Sequence, residues 1–149
     1  MTCSPGSSEI RLTSGRPLAV RPASGHEIGV NFLASDGTSR YDSTPKARDF
    51  KSDQDVAAYS IYSRNKLHQN WTSTVRLGRS TDDLTTLRSG TKLSEFNTTQ
   101  DQFSWQNDIK LPVGTALLAA EYLRQTVDST TTYTEDERTV RSLLAGWTA

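Results

Sequence analysis

Three runs of this chain place hydrogen-bonding and cationic side chains two residues apart. They are Ser60, Tyr62, Arg64 and Lys66; Thr72, Thr74 and Arg76; and Ser104, Gln106, Asp108 and Lys110, with Asn70 between the first two runs. Spacing of two puts each run on one face of a strand. Hydroxyls and amides can bond base edges and sugars, Arg and Lys can neutralise phosphates, and Tyr can stack on an unpaired base. An ordinary solvated sheet face has the same composition, and both readings are open at this point. Catalysis is poorly supported. His26 and His68 are the only histidines, and neither sits in a nucleophile motif. Asp82-Asp83 reads as loop solvation and Glu135-Asp136-Glu137 as helix capping, without the clustering a metal needs. Cys3 is the only cysteine, so no intramolecular disulfide can form. No enzyme activity, metal or cofactor is expected.

The elements that must position these residues are read from periodicity. In Phe103–Val113, Phe103, Trp105, Ile109 and Leu111 alternate with Ser104, Gln106, Asp108 and Lys110, with one lapse at Asn107. Residues 55–65 alternate likewise, Ala57, Tyr59 and Ile61 against Ser60, Tyr62 and Arg64. Residues 71–79 set Trp71, Val75 and Leu77 against Thr72, Thr74 and Arg76. The segment 66–70 reads as a hairpin loop. Residues 1–34 read as N-terminal hairpins, with Ser14-Gly15 as a tight turn, and 35–54 as a loop or irregular crossing. Residues 80–102, rich in Ser, Thr, Asp and Asn, read as a long loop or a poorly patterned hairpin.

The last segment, 115–147, reads as two helices. Thr115 caps a helix to about Val127, in which Ala116, Ala119, Ala120, Leu123 and Val127 recur beside Leu118 and Tyr122. A rival reading runs a strand from Tyr122 to Tyr133. Thr134-Glu-Asp-Glu137 matches a capping box, followed by Val140, Leu143, Leu144 and Trp147 at helical spacing. The expected fold is α+β: N-terminal hairpins, an antiparallel meander, and two C-terminal helices packed on one sheet face. At 149 residues the chain reads as one domain. Its formal net charge of zero gives no global signature of nucleic-acid binding. The N-terminal residues show no basic, apolar signal pattern, so neither secretion nor a membrane is expected.

Trp71-Thr-Ser-Thr-Val-Arg-Leu77, Ser104-Trp-Gln-Asn-Asp-Ile-Lys-Leu-Pro-Val113 and the two terminal helices together resemble the coat proteins of single-stranded RNA bacteriophages. The resemblance covers roughly residues 55–149. It implies an intertwined homodimer whose helices, through Leu118, Tyr122, Leu123, Val140, Leu143, Leu144 and Trp147, cross the partner's sheet. It further implies an icosahedral shell assembled in the bacterial cytoplasm, single-stranded RNA on the inner face, and a phage maturation protein as a further partner. Ser60, Tyr62, Arg64, Lys66, Asn70, Thr72, Thr74, Arg76, Ser104, Gln106, Asp108 and Lys110 would be the RNA-facing set. The sequence departs from that pattern in its long 80–102 segment and in Ser104, where a stacking aromatic would be the more persuasive RNA contact. The alternative is a β-rich interaction module, such as a tail or head-completion subunit, without RNA contacts.

Overall fold

Period-two alternation runs much further along the chain than its sequence reveals. The computed structural model describes residues 8–15, 18–42, 49–130 and 135–149, and every regular element among them is a strand. These are β1 Ser8–Ser14, β2 Leu18–Ala23, β3 His26–Asp42, β4 Asp49–His68, β5 Trp71–Arg88, β6 Thr91–Leu111, β7 Gly114–Ser129 and β8 Glu137–Thr148. They form one antiparallel sheet in the order β1-β3-β4-β5-β6-β7-β8, with β2 also on β3. From β3 onward each strand pairs with the next, as in a meander.

The two C-terminal helices are overturned. Residues 114–129 are β7, paired with β6 from Leu111↔Gly114 to Phe96↔Ser129. Residues 137–148 are β8, paired with β7. The reason is visible in the pairing. Leu118 and Tyr122 project to one face of β7, Leu117, Ala119 and Leu123 to the other. An element apolar on both faces loses its period-two signature and mimics a helix. Leu143 and Leu144, read as helical neighbours, stand on opposite faces opposite Ala120 and Ala119. The intertwined architecture that needed those helices therefore lacks its covering elements. Thr134 of the supposed capping box lies outside the described residues, as does Cys3.

Residues 80–102 are not a loop. β5 and β6 pair through them from Ser80↔Gln100 to Arg88↔Thr91 and turn at Ser89-Gly90. Both turn residues have positive φ, 49° and 79°, as a type I′ hairpin turn requires. Most of residues 35–54 is likewise strand, with 43–48 outside the described residues. Strand β4 continues to His68, through a bulge after Lys66. The N-terminal Ser14-Gly15 hairpin is also corrected. β1 pairs with Leu33–Ser39 and β2 with His26–Val30, so both lie in line along one edge of β3. The Gly15 amide bonds Phe32 O at 3.2 Å between them.

No apolar side chain among the described residues is buried. The accessible surface is 11315 Å², against about 7,500 Å² for a compact folded chain of this size. The molecule is a single layer with two open faces. Its outer edges, β1/β2 and β8, do not pair with one another among the described residues.

Candidate functional site

Residues directly opposite in an antiparallel ladder share a face, so the register sorts every side chain. One face carries an apolar band. Its rows include Val30, Ile61, Leu77, Phe103 and Tyr122, which end on Arg141, and next to them Ile28, Val75, Trp105, Ala120 and Leu143, interrupted by Ser63; the following row holds His26, Asn65, Ser73 and Asn107. Toward the short turns at Gln69-Asn70 and Pro112-Val113 the band ends in Trp71, Ile109, Ala116 and Trp147. Most of its large side chains are exposed, Leu77 at 53% and Leu143 at 89%.

Among the described residues only two polar ones are buried, Ser73 and Asn107, and both lie within this band. The Trp105 indole Nε1–H donates to Ser73 Oγ at 3.0 Å, and Trp71 Nε1–H to Asn107 Oδ1 at 3.0 Å. Each indole therefore lies diagonally across to the adjoining strand and shields a polar atom, giving both partners a bond that water need not supply. Asn107, the lapse in the sequence alternation, is the acceptor for Trp71.

The band ends abruptly at charge. On the next row Arg79 forms a two-pronged ion pair with Asp101, at 2.5 and 2.8 Å. Arg124 and Glu137 form another, at 2.9 and 2.8 Å. The guanidinium of Arg79 holds the Asp101 carboxyl below the usual range, and that of Arg124 does the same for Glu137. Beyond them the same face carries Asp36, Asp55, Asp83 and Asp128. Asp53 accepts from Lys51 and Thr38, each at 2.7 Å, and its pKa is lowered, chiefly by Lys51.

The opposite face is polar across β4–β6. The register places Ser60, Tyr62, Arg64, Lys66, Thr72, Thr74, Arg76, Ser104, Gln106, Asp108 and Lys110 together on it. Asn70 stands apart in the β4–β5 turn, where its carbonyl accepts from the Lys110 amide at 2.7 Å. Tyr62 is central. Its ring covers Gly29, its hydroxyl donates to Glu27 Oε1 at 2.9 Å, and the Arg76 guanidinium lies 6.0 Å from its centroid. Arg21 Nε donates to Glu27 Oε2 at 3.0 Å. These bonds, Arg21's first and Tyr62's second, lower the Glu27 pKa, and the bond to Glu27 raises that of Tyr62. Arg64, Lys66 and Arg76 form no ion pair among the described residues.

The seven residues expected on helices are divided between the faces. Leu118, Tyr122, Leu143 and Trp147 join the apolar band, while Leu123, Val140 and Leu144 lie on the other face. Sequence reasoning missed Arg21 and Glu27, which face each other across the Ser24-Gly25 turn. Opposite charges flanking a Ser-Gly pair were the available signal. It also missed the joint roles of Trp71, Trp105, Ser73 and Asn107, which depend on register. Among the described residues no group of three His, Cys, Asp or Glu could hold a metal ion.

No protein-family model and no curated protein matches the sequence. Solved structures do resemble it in fold. BauA, the ferric preacinetobactin receptor from Acinetobacter baumannii, superposes with a TM-score of 0.66 at 9% identity, over 95% of this chain and 28% of the receptor. The RagAB peptide transporter superposes with a TM-score of 0.60 at 11% identity, over 93% of this chain and 25% of the transporter chain. The chain thus spans about a quarter of the length of these proteins, and identities this low speak to fold alone.

Proposed function

We propose that this chain is a wall segment of an outer-membrane β-barrel of the TonB-dependent receptor and transporter class, a structure that moves a specifically bound solute. Its apolar band faces lipid and its Tyr62 face lines the lumen. The observation that carries the reading is the banding of the apolar face. A soluble sheet covered by other elements would need apolar contacts along most of its length. Here the face of β5 that carries Leu77 is apolar from Trp71 to Leu77, with Ser73 shielded, then ionic at Arg79 and polar through Thr81, Asp83 and Thr85, with Leu87 beyond. The six steps from Trp71 to Leu77, at about 3.3 Å each, cover about 20 Å along the strand, or about 15 Å across a layer for a tilt of about 40°. The eight steps to the Tyr59–Arg79 row reach about 20 Å, against an apolar height of about 25 Å in such barrels. Trp71 and Trp147 at the short-turn end and Tyr59 and Tyr122 at the charged end sit where interfacial aromatics belong. A sheet with no buried apolar side chain is also expected where lipid is the cover.

The test places the chain in lipid vesicles and reads tryptophan emission with brominated acyl chains. All three tryptophans, Trp71, Trp105 and Trp147, lie on the proposed lipid face, so strong quenching is expected, and Trp105→Phe should remove the most deeply quenched component. Unquenched, water-exposed emission would overturn the proposal. The coat-protein reading keeps one favourable observation, the unpaired cations on the polar face. Closed particles that protect RNA from nuclease, formed without lipid, would decide in its favour.

A further inference from the structure

Two cations on the lumenal face form no ion pair among the described residues, although the ladder places an acid opposite one of them. Arg64 and Lys66 are two residues apart on β4 and project to the same face. Their partners on β5 are hydroxyls, Thr74 opposite Arg64 and Thr72 opposite Lys66. On the other side Arg64 faces Glu27, but both Glu27 oxygens are engaged by Tyr62 and Arg21. Like charges at close same-face positions are unfavourable unless an anion joins them. The backbone makes room for one. Gly25, at φ +81°, donates no side chain, and a Cβ there would stand 3.0 Å from Lys66 Cβ. Its carbonyl accepts from the Lys66 amide at 2.7 Å and so fixes the turn against β4. The result is a concavity of about 620 Å³ lined by Arg21, Glu27, Arg64, Lys66 and Thr72 with the Ser24-Gly25 turn.

We propose that this concavity binds the oxyanion end, carboxylate or phosphate, of a small solute within the lumen. The Arg64 guanidinium supplies a planar fork for two oxygens, Lys66 a mobile point charge, and Thr72 a neutral donor. Glu27 stays occupied by Arg21 and Tyr62, so it fixes the rim of the site and excludes anions that approach from that side. The inference rests on the barrel-wall reading for its lumenal setting, but its chemistry can be tested separately.

The experiment titrates inorganic phosphate and citrate into the micelle-bound chain by calorimetry, with glucose as the neutral comparison. Saturable binding of at least one anion and none of glucose is expected. Phosphate alone would identify phosphate solutes, and citrate alone carboxylate solutes. The double variant Arg64→Gln/Lys66→Gln should weaken binding at least tenfold. Lys110→Gln, on the same face but outside the concavity, should bind as the parent does. Brominated-lipid quenching on each variant reports insertion independently. Intact quenching without anion binding, or unchanged affinity in the double variant, would overturn the site while leaving the wall reading in place.

Discussion

Gly29 lies directly across the ladder from Tyr62, and the space a side chain would take is already filled by that ring. A Cβ on Gly29 would sit 2.4 Å from two ring carbons, and an aromatic over a strand glycine is a way to pin register. Gly29→Ala must therefore push the ring aside and break the Tyr62–Glu27 bond. Overpacking of this kind costs about 1–3 kcal/mol, to be read as a lower urea midpoint in micelles. A midpoint equal to the parent's would show that the ring does not occupy the notch in solution. The acid side of the same contact gives a pH dependence. Arg21 and then Tyr62 lower the Glu27 pKa from its ordinary 4.5. Arg79 lowers that of Asp101, and Arg124 that of Glu137. A depressed carboxyl contributes stability above its unfolded value, and that contribution is lost as pH falls through the depressed value. Unfolding midpoints should be level near neutrality and decline below about pH 4.5 for Glu27 and Glu137 and about pH 3.8 for Asp101. Glu27→Gln should shrink the decline, and an identical profile in that variant would remove Glu27 from the account.

At the scale of strands, one row breaks the pattern of paired charges. Asp36 is opposite Asp55, and Asp55 is opposite Asp83, whereas the ion pairs nearby join opposite signs. Like charges directly across a ladder destabilise it by roughly 0.2–1 kcal/mol, and exposed ones respond to salt. Asp55→Asn should raise the urea midpoint at low salt, with the gain fading at high salt. A lower midpoint at both salt levels would mean that the row is held by something other than the strands themselves. What the sequence disclosed of these strands follows from contrast between faces. Residues 55–65, 71–79 and 103–113 were legible because apolar and polar side chains alternate there, and the grouping of Tyr62, Arg64, Arg76 and Gln106 came with them. Residues 80–102 lie beyond the band, where polar side chains dominate both faces and Leu84, Leu87, Leu93 and Phe96 are scattered among them, so the alternation vanishes and a strand reads as a loop. Residues 116–123 are apolar on both faces, with the opposite error: alanine and leucine density favours helix intrinsically. Pairing with β6 and β8 overrides that preference. Asn107 read as a lapse because a single strand cannot show the Trp71 indole that reaches it from the next.

For the molecule as a whole, the decisive question is which solvent meets the apolar band, and one substitution separates the answers by sign. Leu77 lies between Ile61 and Phe103 in the last apolar row before the Arg79–Asp101 pair and is 53% exposed in the bare sheet. If water meets this face, Leu77→Lys is an exposed surface change, expected to stay within about 0.5 kcal/mol. If lipid meets it, a lysine one row inside the charged boundary costs about 1–2 kcal/mol, between the about 2–4 of the midplane and the about 0–1 of the interface. Gln102, adjacent in sequence to Phe103 and on the polar face opposite Gly78, provides the matched comparison. Gln102→Lys introduces the same charge at nearly the same height but toward the opposite face, which water would solvate under the barrel-wall proposal. In vesicles, Leu77→Lys should lose most of its folded fraction at a urea concentration that Gln102→Lys and the parent withstand. Equal tolerance of the two lysines would mean that neither face contacts hydrocarbon. A larger loss for Gln102→Lys would invert the assignment of faces and place the Tyr62 side against lipid. The open edges at β1/β2 and β8 sharpen the comparison. Unpaired edge groups are costly in hydrocarbon, so insertion also requires those edges to find strands, from copies of this chain or from flanking sequence. Adding the lysine tests the faces alone, because it leaves every edge hydrogen-bonding group unchanged.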